Sequence, residues 1–166
     1  MWTSPGKKHY VLQPVLSVHL SGPCNKCSLY ALRVLRHHGM NDVSLQTVFR
    51  AVVVSRLTYA SPAWRGFITA TDDQRVDAFL RRCKCCSYCP PDLPDFDELL
   101  EESDDRLFRK TLNNPYHTLH ALLPPQSATS HHYHLRKRTH DRLLPAHRGH
   151  LLDKNFVTRA LYKDIY

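Results

Sequence analysis

Two Cys-x-x-Cys pairs form the sharpest local pattern in the sequence. Cys24 and Cys27 make the first pair, and Cys86 and Cys89 make the second. A short loop of this kind offers two sulfur ligands, and a structural zinc ion takes four sulfur or nitrogen ligands in a tetrahedron. These four cysteines are the candidate metal ligands, and zinc is the one cofactor that the sequence suggests.

An alternative interpretation treats the cysteines as ordinary thiols. The pairs are separated by residues 28–85, a longer stretch than in common zinc modules, and Cys83 and Cys85 crowd the second pair. Cys83 falls on the apolar side of a predicted helix, where a thiol behaves as a small hydrophobic group. Arg81, Arg82 and Lys84 are expected to lower the pKa of a neighbouring thiol. No base is specified beside them, so catalysis does not follow.

A basic stretch towards the C-terminus carries the second candidate chemistry. Lys and Arg neutralise phosphates, and Tyr133 in their midst could stack on an unpaired base. The first predicted helix offers a second basic surface. The candidate nucleic-acid-binding residues are Arg136, Lys137, Arg138, Arg142, Arg148, Arg33 and Arg36. The alternative is a run that only keeps the chain soluble or resembles a nuclear-import signal.

Patterns of enzyme active sites do not occur. The acidic run of residues 95–105 fits the solvated faces of helices, and His117 and His120 have no carboxylates at a matching spacing. The sequence contains neither a Gly-rich phosphate loop nor a Gly-x-Ser-x-Gly elbow. We therefore predict no enzymatic activity and no catalytic residue.

Composition narrows the partner and the compartment. The 166 residues carry a formal net charge of +8 with His neutral, and the isoelectric point near 9.3 favours an acidic partner such as an RNA or DNA backbone. The N-terminal segment lacks the features of a signal peptide, so free thiols and a cytoplasmic or nuclear protein are expected rather than a secreted one. No apolar run is long enough to cross a bilayer, so no membrane partner is predicted.

Helical periodicity predicts an all-α fold for the middle of the chain. A first helix is expected over residues 25–38, with Gly39 as its stop. Asp42 or Ser44 is expected to cap a second helix. The apolar stripe of that helix is Leu45, Val48, Phe49, Val52 and Val53.

Further helices are predicted towards the C-terminus. Thr71 is expected to cap a third helix, with Asp72 and Asp73 in its first turn. Asp95 and Ser103 are expected to cap two successive acidic helices. Trp64 and Phe67 are expected to pack the turn that Pro62 opens.

A succession of motifs resembles one protein family, the LINE-type (non-LTR) retrotransposon reverse transcriptases. The segment Val48–Trp64 ends in Tyr-Ala-Ser-Pro-Ala-Trp, a signature seen across these elements. The matching segments, in order, are Ser28–Gly39, Val48–Trp64, Cys86–Pro91, Leu107–Pro115, His120–Pro125 and Asn155–Lys163. The resemblance covers roughly residues 27–166. These residues resemble the thumb and the tail that follow the palm domain in this family.

Composition, periodicity and the resemblance together predict a divided chain. Its expected parts are an unmatched, disordered N-terminus over 1–23, a helical thumb-like domain over 24–115, a basic polar linker over 116–154 and a short docking helix over 155–166. Because residues 1–26 do not continue the family pattern, we expect the reading frame to begin after a frameshift or at a novel start.

The resemblance also bounds the function. Family members polymerise DNA with two neighbouring aspartates on a palm hairpin, and no Tyr-x-Asp-Asp or Phe-Ala-Asp-Asp occurs here. Asp72-Asp73 and Asp104-Asp105 are both expected at helix starts instead. The expected function is that of a non-catalytic C-terminal fragment that retains nucleic-acid binding, with the palm domain as its partner in the parent protein. Alternatives are a small zinc-stabilised interaction module and a translated relic without function.

Overall fold

The protein is seen in a computed structural model that describes residues 23–127, 140–146 and 149–163. Across these ranges the regular structure is helical, apart from an isolated antiparallel bridge between Gln126 and Arg142. The predicted all-α class is confirmed. The disorder predicted for the N-terminus falls on residues outside the described ranges, except at Pro23.

The helices follow one another with short connections. In chain order they are α1 (Pro23–His37), α2 (Asp42–Phe49), a π-helical segment (Arg50–Val54), α3 (Ser55–Thr58), α4 (Ser61–Trp64), α5 (Ala70–Cys85), α6 (Phe96–Asn113), α7 (His150–Asp153) and α8 (Phe156–Tyr162). Short 3-10 turns cover Arg65–Phe67 and His120–Leu122.

The end of α1 confirms the predicted role of Gly39. Its φ of +84° is in the left-handed region that favours glycine. The N–H of Met40 donates to Leu35 O at 3.1 Å, and the N–H of Gly39 donates to Arg36 O at 3.0 Å. This pair of bonds is the Schellman motif, which ends α1 and lets the chain return as α2.

The π-helical segment corrects the predicted stripe of the second helix. Leu45, Phe49, Val53 and Leu57 are buried, whereas Val52 is 48% exposed. A spacing of four residues drifts around a regular α-helix by about 40° at each step. The N–H of Ser55 instead bonds to Arg50 O, five residues back. This wider turn returns the four residues to one face.

Helix caps differ from prediction at several starts. Asn41, not Asp42 or Ser44, caps α2 by accepting from the Ser44 N–H at 2.8 Å. Thr69, not Thr71, caps α5, with Asp72 and Asp73 in the first turn as predicted. A side-chain oxygen in extended backbone suits each of these positions, so the sequence alone left the position of the cap open by one to three residues.

A single helix, α6, replaces the two acidic helices that were predicted. Asp95 caps it in a capping box with Glu98, as expected for its start. Ser103 lies in its interior because the buried positions continue past it without a break. Asp104 and Asp105 are consequently in mid-helix and not at a helix start, which corrects that prediction.

Two apolar clusters meet on α6. The first contains Trp64, whose ring stacks against Phe96 with centroids 6.4 Å apart, and Phe67 packs against the edge of that cluster. The second joins Phe108 of α6 to Phe156 and Leu161 of α8. The Trp64 and Phe67 prediction is confirmed.

Arg36 holds three elements of the first cluster together. Its guanidinium donates to Cys86 O at 2.6 Å and to Ser87 O at 3.1 Å, just beyond the end of α5. It pairs with Asp42 at 3.1 Å and lies 4.4 Å from the ring centroid of Tyr88. One side chain therefore ties α1 to the start of α2 and to the end of α5.

Replacing Arg36 by Ala is expected to lower the free energy of unfolding by about 2 kcal/mol, because it removes charge-assisted hydrogen bonds and a cation–π contact. Urea denaturation measures the change. Arg33→Ala is the matched control: it removes the same side chain from an exposed position of the same helix and should change stability by less than about 0.5 kcal/mol. Equal losses in the two variants would contradict this role of Arg36.

Candidate nucleic-acid interface

An exposed stripe runs along α1. Lys26, Tyr30, Arg33 and His37 are all exposed. Spacings of four, three and four residues return to the same side of a helix, so the four side chains share one face. We call these four residues the α1 stripe. The ring of Tyr30, a residue that is 69% exposed, has Lys26 on one side along the helix and Arg33 and His37 on the other.

Arg33 and Arg36 have different surroundings although both were predicted to face phosphates. Arg33 belongs to the α1 stripe. Arg36 is half-buried and directs its guanidinium to the carbonyls of Cys86 and Ser87. A phosphate contact by Arg36 would compete with those intrachain hydrogen bonds.

Arg142 is also turned towards the protein. Its side chain is 15% exposed. Its guanidinium donates to Pro124 O at 3.2 Å and approaches His120 Nε2 at 3.4 Å. The residue fastens the segment of residues 140–146 to the turn that follows α6.

The remaining predicted binding residues are Arg136, Lys137, Arg138 and Arg148, and they lie outside the described residues. Tyr133 lies outside them as well. The basic stretch therefore stays a prediction from sequence.

Burial governs the cysteines around the end of α5. Burial, reinforced by Cys89 and Cys86, raises the pKa of the Cys83 thiol to about 12. Burial also raises the pKa of Cys89 against the opposing charge of Lys84. Arg82 lowers the pKa of Cys83 and Lys84 lowers that of Cys89, as expected, but desolvation outweighs both cations and the net shift of each thiol pKa is upward.

The candidate zinc ligands divide between surface and core. Cys27 and Cys86 are exposed, and Cys89 is buried. The side chain of Cys24 lies outside the described part of the structure. Among the side chains that the structure describes, no group of three or more His, Cys, Asp or Glu is placed to hold a metal ion.

Thiol labelling separates the two interpretations of the cysteines. In native protein, alkylation should modify Cys27, Cys85 and Cys86, while Cys83 and Cys89 react only after denaturation; mass spectrometry of peptides reads the pattern. Protection of Cys27 and Cys86 that a chelator removes would favour the zinc interpretation instead.

A pH dependence follows from the Cys83 thiol. Its folded-state pKa of about 12 exceeds its ordinary value of 9.0. The stabilisation from keeping this thiol neutral is complete below pH 9, and it is lost as the pH rises from there towards 12. Cys83→Ala should therefore flatten the alkaline fall in stability, and an unchanged fall would contradict this origin.

An ion-pair network joins α6 to α8. Arg65 and Arg159 both reach Asp104 Oδ2, at 3.3 and 2.9 Å. The Asp104 side chain is only 10% exposed. Nearby, Lys163 pairs with Asp105 and Glu101. Burial alone would lower the pKa of Lys163, but the hydrogen bonds that its ammonium donates to these two carboxylates, together with their negative charge, raise the pKa overall.

A polar cleft of about 490 Å³ opens beside this network. Arg159 also donates to Lys154 O at 2.8 Å. A Cβ atom on Gly66 would come within 2.1 Å of that same carbonyl, so only glycine permits the close approach. Arg65 and Arg159 pair with Asp104 at this cleft, and Lys163 pairs with Glu101 and Asp105; we call this set of ion pairs the seam between α6 and α8.

Asp104→Ala is expected to destabilise the protein by about 3 kcal/mol, since it leaves two partly buried guanidinium groups without their counter-charge. Glu102→Ala removes an exposed carboxylate from the same helix and should cost about 0.5 kcal/mol or less. Urea denaturation compares the two variants. A loss for Asp104→Ala no larger than that of the control would show that the network adds no stability.

Sequence reasoning missed two members of the α1 stripe and the whole seam. Lys26 and Tyr30 could have been found by placing the exposed positions of the first helix on a helical wheel around Arg33. The seam gave no local signal, because Arg65, Asp104 and Arg159 are far apart in sequence.

None of the described helices has the length and apolar character needed to span a membrane. Comparisons with protein-family models, with curated proteins and with solved structures found no match to the chain.

Proposed function

We propose that the chain is a non-catalytic C-terminal fragment of a LINE-type reverse transcriptase and binds the backbone of RNA or DNA through exposed basic residues. The ordered succession of motifs quoted above supports the family origin. The α1 stripe is the observation that supports binding, because its cations are exposed on one face and its surroundings leave them accessible to phosphates.

The seam between α6 and α8 gives a comparison for the exposed cations of the α1 stripe, because the arginines of the seam are already paired with a carboxylate and the cations of the stripe are exposed. Several arginines of this basic chain have their charge matched within the protein, as Arg65 and Arg159 do on Asp104. Lys26 and Arg33 instead lie on an exposed helix face. A surface that concentrates cations in this way attracts a polyanion and loses affinity as salt displaces it.

Salt dependence tests the proposal. The logarithm of the binding constant for a mixed-sequence single strand should fall linearly with the logarithm of the salt concentration. Replacing both Lys26 and Arg33 by Gln should reduce the slope by about 1.4, which corresponds to two phosphate contacts on a single strand. Fluorescence anisotropy at several salt concentrations measures it.

The control removes two charges elsewhere. Arg109→Gln with Lys110→Gln changes the net charge equally on an exposed part of α6 and should leave the slope nearly unchanged. Equal effects of the two double variants would show that only net charge matters. A third variant, with Arg136, Lys137 and Arg138 all replaced by Gln, should lower the slope by about 2 if the basic stretch also binds.

Genomic sequence tests the family origin independently. A palm motif with paired aspartates upstream, in frame or after one frameshift, is the expected result. An upstream region without any such motif would contradict this origin. A chain that binds no nucleic acid at low salt would instead favour a translated relic.

A further inference from the structure

Tyr30 is the unusual member of the α1 stripe. Tyr30 is 69% exposed, as is Tyr59, and Tyr116 is 96% exposed, so exposure alone does not distinguish it. Tyr30 differs because an exposed cation lies one helical turn away on either side, Lys26 and Arg33. An aromatic ring that remains in water gives up the stabilisation that burial would provide. Its position between cations indicates a use outside the core.

The spacing sets what such a surface can hold. Lys26 lies about 6 Å before Tyr30 along the helix axis and Arg33 about 4.5 Å after it. Both are on the face that carries the ring, since they are one turn away in either direction. A ring with a cation on each side matches a base with a phosphate on each side.

We infer that the α1 stripe binds unpaired nucleic acid in preference to duplex, with a base stacked on Tyr30 and the flanking phosphates on Lys26 and Arg33. The inference rests on the proposed function and specifies the ligand of the same surface. In a duplex the base faces are covered by their neighbours in the stack, so Tyr30 would have only the backbone to contact. In a single strand a base face is free to stack on the ring.

Stacking of this kind tolerates any base, because every base has a π-face. The surface should therefore show little sequence preference. RNA and DNA both offer the bases and phosphates that this surface recognises. Parallel affinity measurements with an RNA and a DNA single strand of the same sequence show whether the 2′-hydroxyl contributes to binding.

The test uses the full chain with a mixed-sequence single strand and with the same strand annealed to its complement. Tyr30→Leu should weaken binding to the single strand by about fivefold or more and leave binding to the duplex unchanged. Tyr30→Phe keeps the ring and should retain the affinity. Tyr116→Leu is the matched control, because Tyr116 is 96% exposed but lies in the turn after α6, and it should have no effect.

A spectroscopic readout accompanies the affinities. A 2-aminopurine in the strand reports stacking by its fluorescence, and the change on binding should be lost in Tyr30→Leu and kept in Tyr30→Phe. Circular dichroism checks that each variant folds, as expected for exposed positions.

The outcomes separate this inference from the proposed function. Tyr30→Leu could change the affinities for the single strand and the duplex equally, or change neither, while the Lys26 and Arg33 double variant still lowers the salt slope. The single-strand preference is then wrong, and nucleic-acid binding by the α1 stripe stands. If the unmodified chain binds neither ligand at low salt, both are wrong.

Discussion

The packing of α8 and of the turn at Arg65 against α6 depends on the carboxylate of Asp104. This carboxylate lies on α6 between the residues that enter the first apolar cluster and those that enter the second, and it receives Arg65 from one side and Arg159 from the other. A buried carboxylate is costly unless cations accompany it. The two arginines therefore have to approach together, which brings α8 against α6 and requires a glycine at position 66 to let the chain pass.

Two groups among the positive charges of the described residues differ in their surroundings. Arg36, Arg65, Arg142 and Arg159 are directed at carbonyls or carboxylates of the chain itself. Lys26 and Arg33 stay on the outer face of α1. The net charge of the chain does not distinguish these two groups. A guanidinium that donates to backbone carbonyls contributes to stability, whereas an exposed cation can contact a phosphate backbone without breaking other bonds.

The cysteines illustrate the same distinction between sequence spacing and surroundings. Two Cys-x-x-Cys pairs predict a metal site when only spacing is considered. In the structure Cys83 and Cys89 are packed in the first cluster, where desolvation holds their thiols in the neutral form, and Cys27 and Cys86 face solvent. Helical periodicity indicated that Cys83 lies on an apolar face, whereas the burial of Cys89 depends on the whole fold, so neither spacing nor the cations next in sequence could reveal it.

The sequence by itself determined the helical class, the stop at Gly39, the start of α6 at Asp95 and the burial of Trp64, because each follows from local backbone preference or from the period of the apolar residues. It left the caps of α2 and α5 uncertain by one to three residues and suggested a break at Ser103, where α6 in fact continues. Tertiary structure alone decided that Arg36 and Arg142 turn inward and that Asp104 lies between two arginines. Those arrangements depend on residues far apart in the chain, whose approach is set by the packing of helices and by the cost of burying a charge without a partner.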